Sequence, residues 1–393
     1  MIFQNAELIL PDRILRGSLR LEANKITAVA AELPPHPGEE TIDLGGQFLA
    51  PGFIDLHIHG ALGRDTMEAT SEAFAAICNF HASGGTTSLA LTTITAVQAD
   101  IFRVLDAVHS YQSQPVGGAA VLGVHIEGPY FSPLKPGAHE LALIRPPQRE
   151  EWSQWLAHPT RITQITLAPE LPGALELIDA LTDVGVRPSA GHSDAWDEDC
   201  AAAYAHGLRQ VTHTYNCMST ARRRGPYRVA GLLEFAMSKR DILCELIADG
   251  HHVSPTLMRA LFEAKGPSGI ALITDACGGA GLPEGTPFQL LNIDCHLRDG
   301  VGMTDKDGVL AGSASTMIQC VKNMVQLVGV SLPEAVGMAT HNPARALGLE
   351  KSKGALIPGA DADLVCFDKD FQVTRTLVAG QEVFLGRSEP LPS

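Results

Sequence analysis

No Cys-x-x-Cys spacing occurs among the eight cysteines, which lie scattered from Cys78 to Cys366. Neither a structural zinc knuckle nor a disulfide framework is suggested, and a reducing, cytoplasmic setting is the expectation. Positive charge is also scarce. Lys and Arg number 29 against 44 Asp and Glu, a formal net charge of −15, which argues against nucleic acid and anionic membranes as partners. No apolar run is long enough to span a bilayer, and the first residues lack the basic-then-apolar pattern of a signal peptide.

What is present is a series of apolar, strand-like runs ending in metal-ligand residue types. Phe48 to His59 ends in two imidazoles two residues apart. Alternate residues of a strand point the same way, so His57 and His59 can aim at one point. Val121 to Ile126 leads into Glu127, Val186 to Ala190 into His192, Gln210 to Thr212 into His213, Leu243 to Ala248 into Asp249 and His252, and Gly269 to Thr274 into Asp275. Thr86 to Thr93 and Ile162 to Ala168 have strand composition without an obvious ligand, making eight in all. Helical periodicity lies between them, at 71–83, 98–111, 173–184, 197–206 and 255–264. This alternation predicts an α/β TIM (β/α)8 barrel, whose chemistry sits at the carboxyl ends of its strands.

The two ends read differently. Short strand-and-turn patterns fill 1–50 and the last forty residues, and predict one small β-sandwich domain built from both termini, 1–50 with 355–393, flanking a catalytic barrel over 51–354. An Asp- and Gly-rich insertion from Phe288 to Leu310 reads as a hairpin after the eighth strand. His81, His109, His158 and His206 have no converging partner and are expected at the surface or as caps. Gly278 to Gly281 lacks phosphate-loop spacing and reads as a mobile loop. Alone, Glu127 would be a turn residue and Asp275 a helix cap. Together with four histidines they suit a first-row divalent ion, with zinc the expected one.

The surrounding words sharpen this. His125-Ile-Glu-Gly-Pro-Tyr130, Lys135-Pro-Gly-Ala-His139, Leu167-Ala-Pro-Glu170, Ala190-Gly-His-Ser193, Thr212-His-Thr-Tyr-Asn216, Ile247-Ala-Asp-Gly-His-His-Val253, Leu272-Ile-Thr-Asp-Ala276 and Leu310-Ala-Gly-Ser313 occur in one order along the chain. In this the sequence resembles the N-acetylglucosamine-6-phosphate deacetylases of the amidohydrolase superfamily, over essentially its whole length.

The resemblance implies hydrolysis of the N-acetyl group of an amino sugar phosphate to acetate and free amine. It implies metal ligation by Glu127, His192 and His213, with His57 and His59 offering a second site that Glu127 and Asp275 complete, hence one or two ions per subunit. Asp275 is then the proton carrier, and His139 polarises the acetyl carbonyl. The substrate would be held by Ala138, Asn216, Cys217, Arg224, His252 and the turn Leu310, Ala311 and Gly312. Arg224 matches an arginine that in relatives reaches the phosphate from the neighbouring subunit of a homodimer. Arg222, Arg223 and Arg228 compete for that place, because the segment after Asn216 departs from the relatives' pattern. Two other readings are a deacetylase for another sugar, such as N-acetylgalactosamine 6-phosphate or an unphosphorylated one, and a non-enzymatic scaffold. A dihydroorotase-like enzyme would carry a lysine at the end of the fourth strand, where Thr166-Leu-Ala-Pro has none.

Overall fold

The computed structural model describes residues 1–113 and 117–386. Eight parallel strands follow one another around a barrel: β1 (Phe53–Ile58), β2 (Thr86–Thr92), β3 (Ala120–Glu127), β4 (Ile162–Leu167), β5 (Arg187–Ala190), β6 (Gln210–Val211), β7 (Leu243–Ile247) and β8 (Ile270–Ile273). A helix follows each: α1 (Ser71–Ser83), α2 (Gln98–Gln112), α3 (Arg149–Leu156), α4 (Ala174–Asp183), α5 (Asp197–Ala205), α6 (Leu232–Ser238), α7 (Pro255–Lys265) and α8 (Met317–Asn323). Local chemistry starts them where the sequence places them. The Thr70 hydroxyl accepts the Ala73 N–H at 3.2 Å to cap α1, and Pro255 opens α7 where no donor is needed.

Closure is made by β1 and β8, which share no regular ladder. Instead the Asp275 N–H donates to the His57 carbonyl at 3.0 Å, and the His59 N–H to the Ala276 carbonyl at 2.8 Å. Asp55, fully buried, accepts from the Thr274 hydroxyl at 2.5 Å, the Thr274 N–H at 3.2 Å and the His57 N–H at 3.3 Å. The seam that closes the barrel is therefore the seam that carries His57, His59 and Asp275.

The expected β domain is a single eight-stranded sheet that draws on both ends of the chain. Phe48–Pro51 pairs with Ile2–Ile9 on one side and antiparallel with Leu364–Phe367 on the other. Backbone bonds from Ile26 to Ala360 and from Ala362 to Asn24 bring the far edge back on the chain that enters Leu364–Phe367. The sheet curls around a core that includes Phe3, Leu19, Leu49, Leu364 and Leu377.

Four sequence expectations need correction. The run Phe48 to His59 is two strands in two sheets, parted at Gly52, whose N–H bonds the Asp363 carbonyl. The insertion is a four-stranded antiparallel meander, Pro287–Leu290, Ile293–Arg298, Val301–Thr304 and Leu310–Ser313, rather than one hairpin. His81 is completely buried, its Nε2 3.3 Å from the Gly60 carbonyl, and Gly278 to Ala280 are buried beneath the meander.

Removing the Asp55 carboxylate strands three buried donors at the seam. Asp55→Ala should lower unfolding free energy by about 1–3 kcal/mol, read as a fall in the denaturant midpoint. An unchanged midpoint would show that the seam does not depend on this carboxylate.

Candidate active site

Three of the expected side chains owe their inward aim to the same backbone device. His192, His213 and Asp275 each lie two residues past the end of a strand, and all three have positive φ, at 48°, 29° and 48°. This left-handed turn is uncommon outside glycine, although His and Asp adopt it more readily than most residues. Gly191 completes the device before His192, because a Cβ there would lie 2.9 Å from both Thr166 and Thr212.

The result is one buried cluster. Nε2 of His213 lies 3.1 Å from Glu127 Oε1, and Nε2 of His192 and of His57 lie 3.4 and 3.6 Å from the same oxygen. Nε2 of His59 and of His139 lie 3.3 and 3.4 Å from Oε2. Asp275 Oδ1 is 3.4 Å from His57 Nε2 and 3.3 Å from His59 Nε2. Glu127 thus stands among five imidazole nitrogens, three nearest Oε1 and two nearest Oε2.

Ring tautomers separate ligands from donors. The Nδ1–H of His192 points at the Lys135 carbonyl, 2.9 Å away, which leaves a lone pair on Nε2 facing the cluster. His139 is set the other way. Its Nδ1 accepts the Thr95 N–H at 3.1 Å, so the neutral ring carries its proton on Nε2. His139 lies close enough to Glu127 and His192 to be grouped with them as a metal set, but a protonated Nε2 donates and does not ligate. His57, His59 and Asp275 lie close enough together to hold an ion, and Glu127, His192 and His213 could form another set.

Charge balance agrees. Burial disfavours the charged form of His57 and His59, yet Asp275 and Glu127 reverse this, holding His57 well above its usual pKa and raising His59 to about 9. Burial would raise the Asp275 carboxyl, and His57 and His59 hold it below its ordinary range instead. Protons thus occupy the place a cation would take. For His139 burial dominates and pushes the pKa down to about 4, so the ring is neutral near pH 7.

Above the cluster opens a cavity of about 250 Å³. Ala138, Asn216, Cys217 and His252 line it, as do Leu310, Ala311 and Gly312. Gly312 needs to be glycine: its φ is +84°, and a Cβ would sit 2.7 Å from the Asp275 carbonyl. Arg224 does not line the cavity, and among the described residues neither does any other arginine or lysine. It lies on an exposed antiparallel pair, Arg222–Arg224 with Tyr227–Val229, donates to Glu198 Oε1 at 2.6 Å and stacks 4.1 Å over Trp196. Arg222 is held by Asp194 and the same indole.

Sequence reasoning passed over Ile94, Leu290 and Val309, which give the cavity an apolar wall, and Asp55 and Glu245 beneath it. The two acids did leave a signal, each being the one carboxylate inside its strand.

Comparison with known proteins agrees with this geometry. The amidohydrolase family matches residues 48–383. The N-acetylglucosamine-6-phosphate deacetylase of Vibrio furnissii is 36% identical over 353 residues, covering 89% of this chain and 86% of that one. The N-acetylgalactosamine-6-phosphate deacetylase of Escherichia coli O157:H7 is 36% identical over 90% of this chain and 92% of its own length. Among solved structures, the Pasteurella multocida N-acetylglucosamine-6-phosphate deacetylase superposes with a TM-score of 0.90 at 32% identity, covering 97% and 98% of the two chains. An aspartate-to-alanine mutant of the Mycobacterium smegmatis enzyme, in complex with N-acetyl-D-glucosamine-6-phosphate, gives 0.88 at 31%, covering 98% and 99%.

The chain belongs to the amidohydrolase family. Within that family its relatives are the amino-sugar-phosphate deacetylases.

Because His57 and His59 have raised pKa values, a metal ion entering at pH 7 must displace protons, and its affinity should climb as pH rises towards about 9. Calorimetric titration of metal-free protein with zinc, in buffers of different ionisation enthalpy, should register this release. Metal uptake without proton release would contradict the assigned charge state.

Proposed function

We propose that the protein hydrolyses the N-acetyl group of N-acetylglucosamine 6-phosphate to glucosamine 6-phosphate and acetate, with a divalent metal as cofactor. The observation that carries this reading is the convergence of Glu127, four histidines and Asp275 beside His139, a neutral imidazole whose only proton points into the same space. Glu127, His192 and His213 would hold one ion, and His57 and His59, with Glu127 and Asp275, a second. Zinc is the expected metal, and when bound it supplies Lewis acidity and brings the pKa of a water towards neutrality.

The chain's own groups do the rest. His139 donates its Nε2–H to the acetyl oxygen as negative charge develops there, the role of an oxyanion donor. Asp275 takes the proton from the attacking water and passes it to the nitrogen of the breaking amide. Without that transfer the amine would have to leave as an anion, and a positioned acid contributes typically about 10²–10⁴-fold. Ile94, Leu290 and Val309 suit an acetyl methyl, while Asn216 and His252 suit sugar hydroxyls.

Among the described residues the cavity wall offers the phosphate no arginine or lysine. This favours a homodimer in which Arg224 reaches the neighbour's cavity, supported by the exposed arginine hairpin and by Tyr227 beside its turn, 72% exposed. The same reading divides the chain into a barrel, 51–354, and a terminal β domain, 1–50 with 355–393, of which 387–393 lie outside the described residues. Eight free cysteines suit a cytoplasmic protein. The second reading, a preference for N-acetylgalactosamine 6-phosphate, rests on the equally similar relative of that specificity.

An acetate-release assay over both phosphosugars and their unphosphorylated forms tests the substrate, and no release from any would end the proposal. Asp275→Asn should keep its metal by elemental analysis yet lose at least about a hundredfold in kcat; near-normal turnover would remove the proton-carrier role. Arg224→Ala should raise KM for the phosphorylated sugar alone, by the equivalent of about 1.5–3 kcal/mol. Mixed with Asp275→Asn protomers it should recover roughly a quarter of wild-type activity, since about half the dimers are mixed and each regains one site. No recovery after verified exchange would place the arginine in its own subunit's site.

A further inference from the structure

We propose that Glu245 is a positioning residue whose carboxylate fixes the tautomer of His57, and with it the capacity of the His57 and His59 pair to hold a metal ion. The inference rests on the metal reading above, but concerns a residue that touches neither substrate nor ion.

Glu245 lies on β7 in the barrel interior and is fully buried. Its Oε1 accepts two amide hydrogen bonds, from Gln164 Nε2 at 2.8 Å and Gln210 Nε2 at 2.7 Å. Its Oε2 has no hydrogen-bond partner, and neither has His57 Nδ1. These two orphaned atoms face each other at 3.6 Å. Buried polar atoms are rarely left unmatched, and a hydrogen bond between these two would match both. A carboxylate oxygen can only accept, so the shared proton belongs to Nδ1. The neutral ring then turns a lone pair at Nε2 towards Glu127, His59 and Asp275, as a ligand must.

The amide network makes the isosteric variant informative. Gln210 Nε2 donates to Gln164 Oε1 as well as to Glu245, so both glutamine amides have their orientations set. In Glu245→Gln the new amide oxygen must stay with these two donors, which turns its NH2 towards His57 Nδ1. That donor forces the proton onto Nε2 and closes the ring to metal. The change preserves shape and burial, so a loss confined to one metal site is not explained by packing.

Two measurements decide. Nitrogen NMR of metal-free wild-type protein, at a pH where the ring is neutral, should find His57 protonated on Nδ1, and on Nε2 in Glu245→Gln. Zinc titration should show the second equivalent weakened about 10- to 100-fold in the variant, with the equivalent at Glu127, His192 and His213 retained. Wild-type His57 protonated on Nε2, a variant that binds both equivalents normally, or equal loss from both sites would each overturn the proposal. If Glu245→Gln does not fold, the wild-type spectrum alone decides. If wild-type protein takes up one equivalent only, the two-metal reading fails, and the spectrum still judges Glu245.

Discussion

A carboxylate withdrawn from water must be met by positive charge or by donors, and the need of Glu127 organises this molecule. It is 2% exposed, and five imidazole nitrogens approach its two oxygens within 3.6 Å. Burial would raise its pKa, but His57, His139, His192 and His213 hold it well below the ordinary value. Those rings come from β1, from the segment after β3, and from the ends of β5 and β6. The cluster therefore exists only if the barrel closes, and the closing seam passes through His57, His59 and Asp275 themselves.

Beneath the cluster the barrel is not filled in the usual way with branched aliphatic residues. Gln164, Gln210 and Glu245 bond across strands that are not all neighbours, and Thr166 and Ser189 meet at the Thr212 hydroxyl, at 2.8 and 2.7 Å. Such a polar interior is worth having only when its groups are matched, since an unmatched one is costly in a low dielectric. Most are matched here. The exceptions include Gln210 Oε1, Glu245 Oε2 and the Nδ1 atoms of His57, His59 and His213. The left-handed backbone at His192, His213 and Asp275, at about 1–3 kcal/mol each, is a second local cost, at the metal cluster itself.

The two halves of the proposed substrate meet different surroundings. The acetyl end faces imidazoles, carboxylates and a short apolar wall within one subunit. For the phosphate end the cavity wall offers no lysine or arginine among the described residues, while guanidinium groups sit on an exposed hairpin, partly satisfied by Asp194, Glu198 and the Trp196 face. Arginines placed this way can exchange a surface carboxylate for a phosphate at little net cost, because exposed ion pairs contribute little to stability.

Much of this was legible along the chain. The (β/α)8 alternation, the approximate limits of α1, α2, α4, α5 and α7, and the histidines and acids at the ends of β1, β3, β5, β6 and β8 follow from periodicity and spacing, because strand and helix repeats are local properties of sequence. Tertiary structure alone decided the remainder. Gly52 splits one apolar run between two sheets because Asp363, over three hundred residues away, offers its carbonyl. His139 becomes a donor because Thr95 presents an N–H to its Nδ1. Asp55 and Glu245 matter because the closed barrel sets them against Thr274 and His57. Each is a contact between polar groups distant in sequence, and direction at that range exists only once the chain has folded.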